Sequence, residues 1–134
     1  MKQKLKLALV GAGERGQYCY APYAKMHGYE IEFVAVADPH KGRQDYHVPA
    51  EGVFETAEQF FARPRMADAV LICTQDSQHY AYACQAIDLG YSILLEKPIS
   101  PSVRECLDLQ RRAEEKGTQI MVCHVMRYTK FYRK

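Results

Sequence analysis

Short apolar runs separated by longer amphipathic stretches dominate the chain. Runs with few polar interruptions are typical of strands buried on both faces of a parallel sheet. They occur at residues 5–10, 31–37, 69–73 and 92–95, and shorter runs predict further strands at 53–54 and 119–125. Because helical or looped stretches lie between successive runs, the pattern predicts an α/β fold. We expect a doubly wound parallel sheet of six strands that forms one domain over residues 1–134.

The first two predicted helices follow the first and the third strand. Residues 14–26 have a helical pattern in which Pro22 marks a kink or an early end. A short second helix is predicted after residues 56–59, which read T-A-E-Q and fit a capping box.

Two longer helices are predicted in the second half of the chain. One runs from about residue 77 to Gly90, and the other begins at Ser100 or Ser102 and ends at Gly117. Their predicted buried faces are Tyr80, Ala83, Cys84 and Ile87 on the first, and Val103, Cys106, Leu107, Gln110 and Ala113 on the second.

The first strand ends in a glycine-rich turn. Residues 11–16 read G-A-G-E-R-G, which has the G-x-G-x-x-G spacing of a dinucleotide-binding turn between a strand and a helix. The first glycine bends the chain, the second lets a pyrophosphate approach the backbone, and the third lets helix and strand pack closely. Glycines that serve only the turn are the alternative interpretation. The predicted phosphate-binding set is Gly11, Ala12, Gly13, Glu14, Arg15 and Gly16.

An acidic residue, Asp38, ends the second predicted strand. It lies 22 positions after Gly16, close to the spacing of roughly 20 between such a turn and the acid that binds a ribose. Its carboxylate would accept hydrogen bonds from ribose hydroxyls and repel a 2′-phosphate, so NAD is favoured over NADP. Asp38 before Pro39 also fits a simple helix N-cap. Lys41 and Arg43 could pair with a 2′-phosphate or lie solvated in a loop.

The fifth strand ends in the sequence E-K-P, at Glu96, Lys97 and Pro98. Ligands of a doubly wound sheet bind beyond the carboxyl ends of its strands, which is where Glu96 and Lys97 lie. A lysine at this position can hydrogen-bond a substrate oxygen and exchange a proton. A surface ion pair is the alternative.

Composition narrows the class of protein. The apolar share of 48% in 134 residues indicates a globular chain with a sizeable core. The net charge of +2 is too small to indicate a nucleic acid or membrane partner. The five cysteines are odd in number and lie mostly inside apolar runs, which predicts free thiols and a reducing, cytoplasmic location. Because the histidines lack metal-ligand spacing, no metal is expected.

The motif order resembles the N-terminal domain of the Gfo/Idh/MocA oxidoreductases over essentially the whole chain. The similarity rests on G-A-G-E-R-G at residues 11–16, Asp38, T-Q-D-S-Q-H at residues 74–79, and E-K-P at residues 96–98. It implies an NAD-dependent enzyme that transfers hydride between nicotinamide and a sugar, inositol or related polyol.

The resemblance also implies residue roles. Lys97 would be catalytic, and the cofactor would be bordered by Thr74, Gln75, His79, Glu96, Lys97 and, on weaker grounds, Arg127. Gln75 and Asp76 stand where the family has Pro-Asn, which puts side-chain contacts there in doubt. For His79, a solvent-facing position in the first turn of its helix is the alternative.

Members of the family continue into a second domain that shapes the substrate pocket and supplies a further acid–base residue, and this chain lacks that domain. We therefore expect a fragment of a two-domain enzyme that binds cofactor without turning over polyols. Surface near the last strand would be exposed and would favour homo-oligomers. A stand-alone NAD(H)-binding or redox-sensing module is the alternative, although such a module has no need for Lys97.

Overall fold

The computed structural model describes residues 3–43 and 46–133. Within them lie β1 (Leu5–Val10), β2 (Ile31–Ala37), β3 (Val53–Phe54), β4 (Ala69–Ile72), β5 (Ser92–Leu95) and β6 (Ile120–Val122). These strands form one parallel sheet in the order β3-β2-β1-β4-β5-β6. That is the order of a doubly wound sheet, whose winding reverses between β1 and β4. The predicted fold class is confirmed. The last strand is shorter than predicted because the chain turns into a short 3₁₀ helix at Val125–Tyr128.

Four α-helices connect the strands: α1 (Ala21–Met26), α2 (Ala57–Phe61), α3 (His79–Asp88) and α4 (Val103–Lys116). The α2 helix begins where its capping sequence predicts, since the Gln59 N–H donates to Thr56 Oγ1 at 3.2 Å. For α4, the structure selects Ser102 as the N-cap, and Gly117 closes the helix with φ of 64°.

Pro22 does not end the first helical stretch. A π-helical turn at Gly16–Tyr20 runs directly into α1, and the Ala21 N–H donates to the Gly16 carbonyl. Proline has no N–H and its ring crowds the preceding turn, so a helix that continues through it needs a local widening of this kind.

Two predicted helix faces are partly wrong. The α3 helix buries His79, Tyr82, Ala83, Ala86 and Ile87, and the α4 helix buries Leu109 and Ala113. Tyr80 is only half-buried, while Val103 and Leu107 are 76% and 63% exposed. The reason is a polar seam between the two helices, where Asp108 Oδ2 accepts hydrogen bonds from the Tyr80 hydroxyl at 2.7 Å and from Arg112 Nε at 2.6 Å.

The sheet is covered differently on its two faces. The larger cluster, which includes Val10, Val70, Leu95 and the buried residues of α2, α3 and α4, lies on one face. On the other face Leu9 and Leu71 pack with Tyr20. An open apolar cavity of about 630 Å³ lies there, with Phe33, Leu94 and Met121 in its lining. All elements that bear the predicted motifs end at the carboxyl edge of this sheet.

We predict that stability falls in alkali partly through Tyr82. Burial, followed by the hydrogen bond that its hydroxyl donates to Glu58 Oε1 at 2.9 Å, raises the pKa of Tyr82 to about 12. The unfolded chain loses this proton near pH 10. The contribution of Tyr82 to the unfolding free energy should therefore be fully present and independent of pH below about pH 10, and should be lost between about pH 10 and 12.

Denaturant titrations at pH 8 to 11.5 would measure the slope of the unfolding free energy against pH in the native chain and in Tyr82→Phe. The slope should be shallower in Tyr82→Phe and unchanged in Tyr18→Phe, whose ring is exposed. Parallel curves for the native chain and Tyr82→Phe would contradict the assignment.

Candidate functional site

The glycine turn follows β1 directly and is held from both neighbouring strands. Gly11 has φ of +87°, a conformation that side chains disfavour. A Cβ added there would lie 2.7 Å from both the carbonyl carbon and the oxygen of Cys73, so the β4 end packs against bare backbone. The Gly11 N–H donates to the Ala37 carbonyl of β2 at 2.9 Å. Gly11 is therefore required by the fold itself.

The other two glycines of the turn differ from Gly11. A Cβ at Gly16 would lie 2.8 Å from Tyr46 Oη and 3.2 Å from Leu9 Cδ2, so Gly16 allows the close approach of helix and strand. A Cβ at Gly13 would meet no heavy atom of the described residues within 4 Å. No internal contact explains a glycine at this position, which leaves open the approach of a ligand to the backbone.

Asp38 lies at the end of β2 and is buried. Its Oδ2 accepts the Ala12 N–H at 2.8 Å, and its Oδ1 accepts the His40 N–H at 2.8 Å. The His40 ring nitrogen Nδ1 lies 3.3 Å from Oδ1. The residue predicted to bind a ribose thus also holds the glycine turn, and the Ala12 N–H is directed at Asp38.

The end of β4 forms a second wall of the site. Thr74 Oγ1 is buried and has no hydrogen-bond partner among the described residues. Gln75, which stands in place of the family's proline, caps the short 3₁₀ helix Asp76–Gln78 through reciprocal bonds with Gln78. Its side chain therefore has a local structural role, whereas Thr74 presents an unsatisfied hydroxyl.

His79 joins the ends of β4 and β5. Its side chain is only 1% exposed, so the solvent-facing alternative is wrong. Nδ1 lies 2.6 Å from the Pro98 carbonyl and Nε2 lies 3.2 Å from the Thr74 carbonyl. A carbonyl oxygen can only accept a hydrogen bond, so Nδ1 is the donor in the shorter contact. The ring bridges the two backbone segments that border the site.

Lys97 lies between two fixed residues while its own side chain is exposed. On one side, Glu96 is 7% exposed, and its N–H donates to the Ile72 carbonyl at 3.0 Å. On the other side, Pro98 follows a cis peptide bond and its carbonyl accepts from His79. An ordered backbone that carries a solvent-facing ammonium suits contact with an external substrate.

The Glu96 carboxylate has a partner that the sequence reasoning missed. The Tyr20 hydroxyl donates to Glu96 Oε1 at 2.7 Å and lies 3.0 Å from Cys123 Sγ. Residues 20 and 96 are 76 positions apart, and no local pattern connects them. Tyr46 was also missed; its hydroxyl is buried beside Gly16 without a partner in the described chain. Burial and the nearby Cys73 and Asp38 raise the pKa of Tyr46 to about 12.

Three further points concern Arg127, metal ligands and membrane-spanning helices. Arg127 is exposed in the 3₁₀ helix Val125–Tyr128 after β6. No group of three potential metal ligands comes together within residues 3–43 and 46–133. In the same part of the chain, no helix has the length and apolar character needed to cross a bilayer.

The sheet order and the glycine turn define an NAD(P)-binding Rossmann domain, and sequence comparison identifies its family. Residues 5–124 match the model of the Gfo/Idh/MocA oxidoreductase family, NAD-binding Rossmann fold. The chain belongs to this family.

Characterised relatives include two enzymes of Bacillus subtilis. The chain is 25% identical to scyllo-inositol 2-dehydrogenase (NADP(+)) IolW, covering 92% of this chain and 34% of that enzyme. It is 27% identical to scyllo-inositol 2-dehydrogenase (NAD(+)), covering 98% of this chain and 39% of that enzyme. The chain thus spans between about a third and two-fifths of these relatives' length.

Solved structures confirm the fold. The WlbA dehydrogenase of Bordetella pertussis, in complex with NADH and UDP-GlcNAcA, superposes with a TM-score of 0.86 at 19% identity, covering 99% of this chain and 40% of that one. An oxidoreductase from Agrobacterium radiobacter, in complex with NAD⁺, L-tartaric acid and magnesium, gives 0.75 at 22% identity, covering 94% of this chain and 37% of that one.

The residues of the site fit a bound dinucleotide. The backbone at Gly13, after the central strand β1, is open to approach. After β4 on one side, Thr74 carries a buried hydroxyl without a partner among the described residues, and after β2 on the other side Asp38 provides carboxylate oxygens. Phosphate groups suit the start of a helix after such a turn because the first N–H groups of a helix have no partners within it.

Proposed function

We propose that this chain binds NAD(H) and forms the cofactor domain of a dehydrogenase that acts on a sugar, inositol or related polyol. The observation that carries the proposal is the convergence of the glycine turn, Asp38 and Lys97 at the carboxyl edge of one sheet, around its switch point. Names of the inositol dehydrogenase relatives support the substrate class.

Each residue has a distinct task in this proposal. The backbone of residues 11–16 would hold the pyrophosphate, with Glu14 and Arg15 in the first turn of the helix. Asp38 would accept hydrogen bonds from the adenosine ribose, since carboxylate oxygens accept several bonds at once. The Thr74 hydroxyl would donate a hydrogen bond to the cofactor, while Gln75 and His79 would shape the backbone that borders the cofactor.

The nicotinamide, when bound, supplies the centre that accepts or donates hydride. Lys97 would contact the substrate oxygen whose carbon is oxidised or reduced and would exchange the proton of that oxygen. Glu96 would anchor the segment that carries Lys97 through its buried carboxylate and the hydrogen bond from Tyr20. Arg127, exposed in the 3₁₀ helix after β6, would contact the cofactor from the end of the last strand.

We predict that NADH binds more tightly than NADPH. The carboxylate of Asp38 would lie beside a 2′-phosphate and repel it. Titration calorimetry with both cofactors tests this expectation, and equal or tighter NADPH binding would refute it. Lys41 is paired with Glu55 at 3.6 Å, which leaves Arg43 to offset the repulsion from this loop.

Replacing Asp38 should have two separable effects. Asp38→Ser should narrow the gap in affinity between NADH and NADPH, because the negative charge is gone. It should also lower the unfolding free energy by about 1–3 kcal/mol, because the Ala12 N–H loses its acceptor. Asp38→Asn is the matched control, since it removes the charge and keeps one oxygen acceptor. A gap that narrows in Ser but not in Asn would indicate loss of the turn rather than loss of charge.

A further inference from the structure

Tyr20 joins three elements that are distant in sequence. It lies at the end of the π turn, and its hydroxyl contacts Glu96 after β5 and Cys123 after β6. The glycine turn begins the same helical stretch. A single side chain therefore connects the phosphate end of the proposed cofactor site with the segment that carries Lys97.

The direction of the hydrogen bonds follows from the donors present. Burial, together with the bonds to Cys123 and Glu96, raises the pKa of Tyr20 far above its usual range. Burial likewise raises the pKa of the Cys123 thiol. The phenol therefore donates to the Glu96 carboxylate, which leaves the thiol proton to be donated to the phenol oxygen. The resulting series of hydrogen bonds runs from Cys123 through Tyr20 to Glu96.

Glu96 depends on these hydrogen bonds because burying a carboxylate without hydrogen bonds is energetically unfavourable. The Arg15 guanidinium attracts this carboxylate. The hydrogen bond to Cys19 raises the pKa of Arg15 most, and the negative charge of Glu96 raises it further. Arg15 is exposed, so solvent screens this attraction. The 2.7 Å bond from Tyr20 is thus the short, sheltered contact that fixes the carboxylate orientation.

We propose that Tyr20 is a positioning residue that orients Glu96, whose segment also carries Lys97, toward the nicotinamide half of the cofactor. The inference rests on the proposed function, which places the nicotinamide beside these two residues. Tyr20 does not touch the reacting atoms. Its removal should therefore affect the nicotinamide half of the site and leave the adenosine and pyrophosphate half unchanged.

The test compares NADH with ADP-ribose, which has no nicotinamide, on the chain as it exists. In Tyr20→Phe the NADH dissociation constant should rise by about tenfold, as expected for loss of a hydrogen bond to a charged group. The ADP-ribose constant should stay within about twofold. The fluorescence change of bound NADH should shrink in parallel, because it reports the surroundings of the nicotinamide.

Matched variants separate positioning from general stability. Tyr23→Phe lies on the same helical stretch, where Tyr23 is exposed, and should leave both constants unchanged. Cys123→Ser keeps a donor to Tyr20 and should resemble the native chain, whereas Cys123→Ala should lose part of the NADH affinity. In a Glu96→Gln background, the effect of Tyr20→Phe should become smaller, since the charged acceptor is gone.

Distinct outcomes overturn the two proposals. If Tyr20→Phe weakens both ligands equally, or neither, the positioning role is wrong while the proposed function stands. Failure of the native chain to bind either ligand refutes the proposed function and the positioning role with it. If Tyr20→Phe does not fold, equal NADH affinities in Cys123→Ser, Cys123→Ala and the native chain would overturn the positioning role.

Discussion

Replacing Gly11 with alanine should remove most of the stability of this chain. An alanine must adopt the φ of +87° observed at this position, and its Cβ would lie 2.7 Å from the Cys73 backbone and 2.9 Å from the Thr74 nitrogen. Backbone atoms of a buried strand end cannot move aside as a flexible side chain can. Strain of this kind costs about 1–3 kcal/mol before the clash is added, against about 5–15 kcal/mol for a whole domain.

Gly13→Ala is the matched control within the same turn. An added Cβ meets no described atom within 4 Å, so the unfolding free energy should change by less than about 1 kcal/mol. The same variant should weaken NADH binding at least tenfold, because the methyl group would occupy space that a pyrophosphate needs. Urea titration and calorimetry on both variants measure the two effects. A stable Gly11→Ala, or a Gly13→Ala that binds NADH normally, would contradict this division of roles.

Much of the sheet is predictable because its strands are apolar on both faces. The predicted bounds of β1, β2, β3 and β5 match the structure, since each run is ended by a glycine, a charge or a turn residue. Strand order follows from the alternation of strands and crossovers together with the glycine turn, whose context occurs after the first strand of such sheets.

The helix faces are less predictable because apolar periodicity assumes that a helix packs against the sheet alone. The α4 helix also packs on α3, and the seam between them is polar at Asp108 and Arg112. Charged residues there replace apolar ones, so Leu107 is left exposed although it follows the helical period. Hydrophobic patterning has no signal for such a seam.

The site was predictable where a motif fixes local geometry and was missed where distant segments meet. The glycine turn, Asp38 and E-K-P are local signatures of strand ends. The contact between Tyr20, at the end of the π turn, and Glu96 joins segments that are 76 positions apart. The bridging role of His79 likewise depends on two carbonyl groups from separate loops. The cofactor and catalytic roles of all these residues stay predictions until binding and turnover are measured.

The largest catalytic effect should come from Lys97. Its side chain is exposed, while Glu96 and Pro98 on either side are held by Tyr20 and His79. Lys97→Ala should therefore leave the folded structure unchanged and the NAD dissociation constant within a few fold of the native value. It should lower kcat by about 10²–10⁴-fold, the usual contribution of a positioned acid or base. The loss arises because the ammonium contacts the substrate oxygen as its charge changes in the transition state.

The measurement needs a form of the protein that turns substrate over, because this chain spans 34% and 39% of the two Bacillus subtilis scyllo-inositol dehydrogenases. Steady-state kcat and KM with sugars and inositols, and NAD affinity by calorimetry, would be compared for native protein and variants. Lys97→Arg keeps the positive charge but holds its proton too tightly to exchange it, so kcat should stay low. Lys116→Ala, at the exposed end of α4, is the control and should leave kcat unchanged. Preserved turnover with a large loss of NAD affinity would show that Lys97 binds the cofactor instead. A native protein that binds NAD but turns over none of these substrates would favour a nucleotide-binding module.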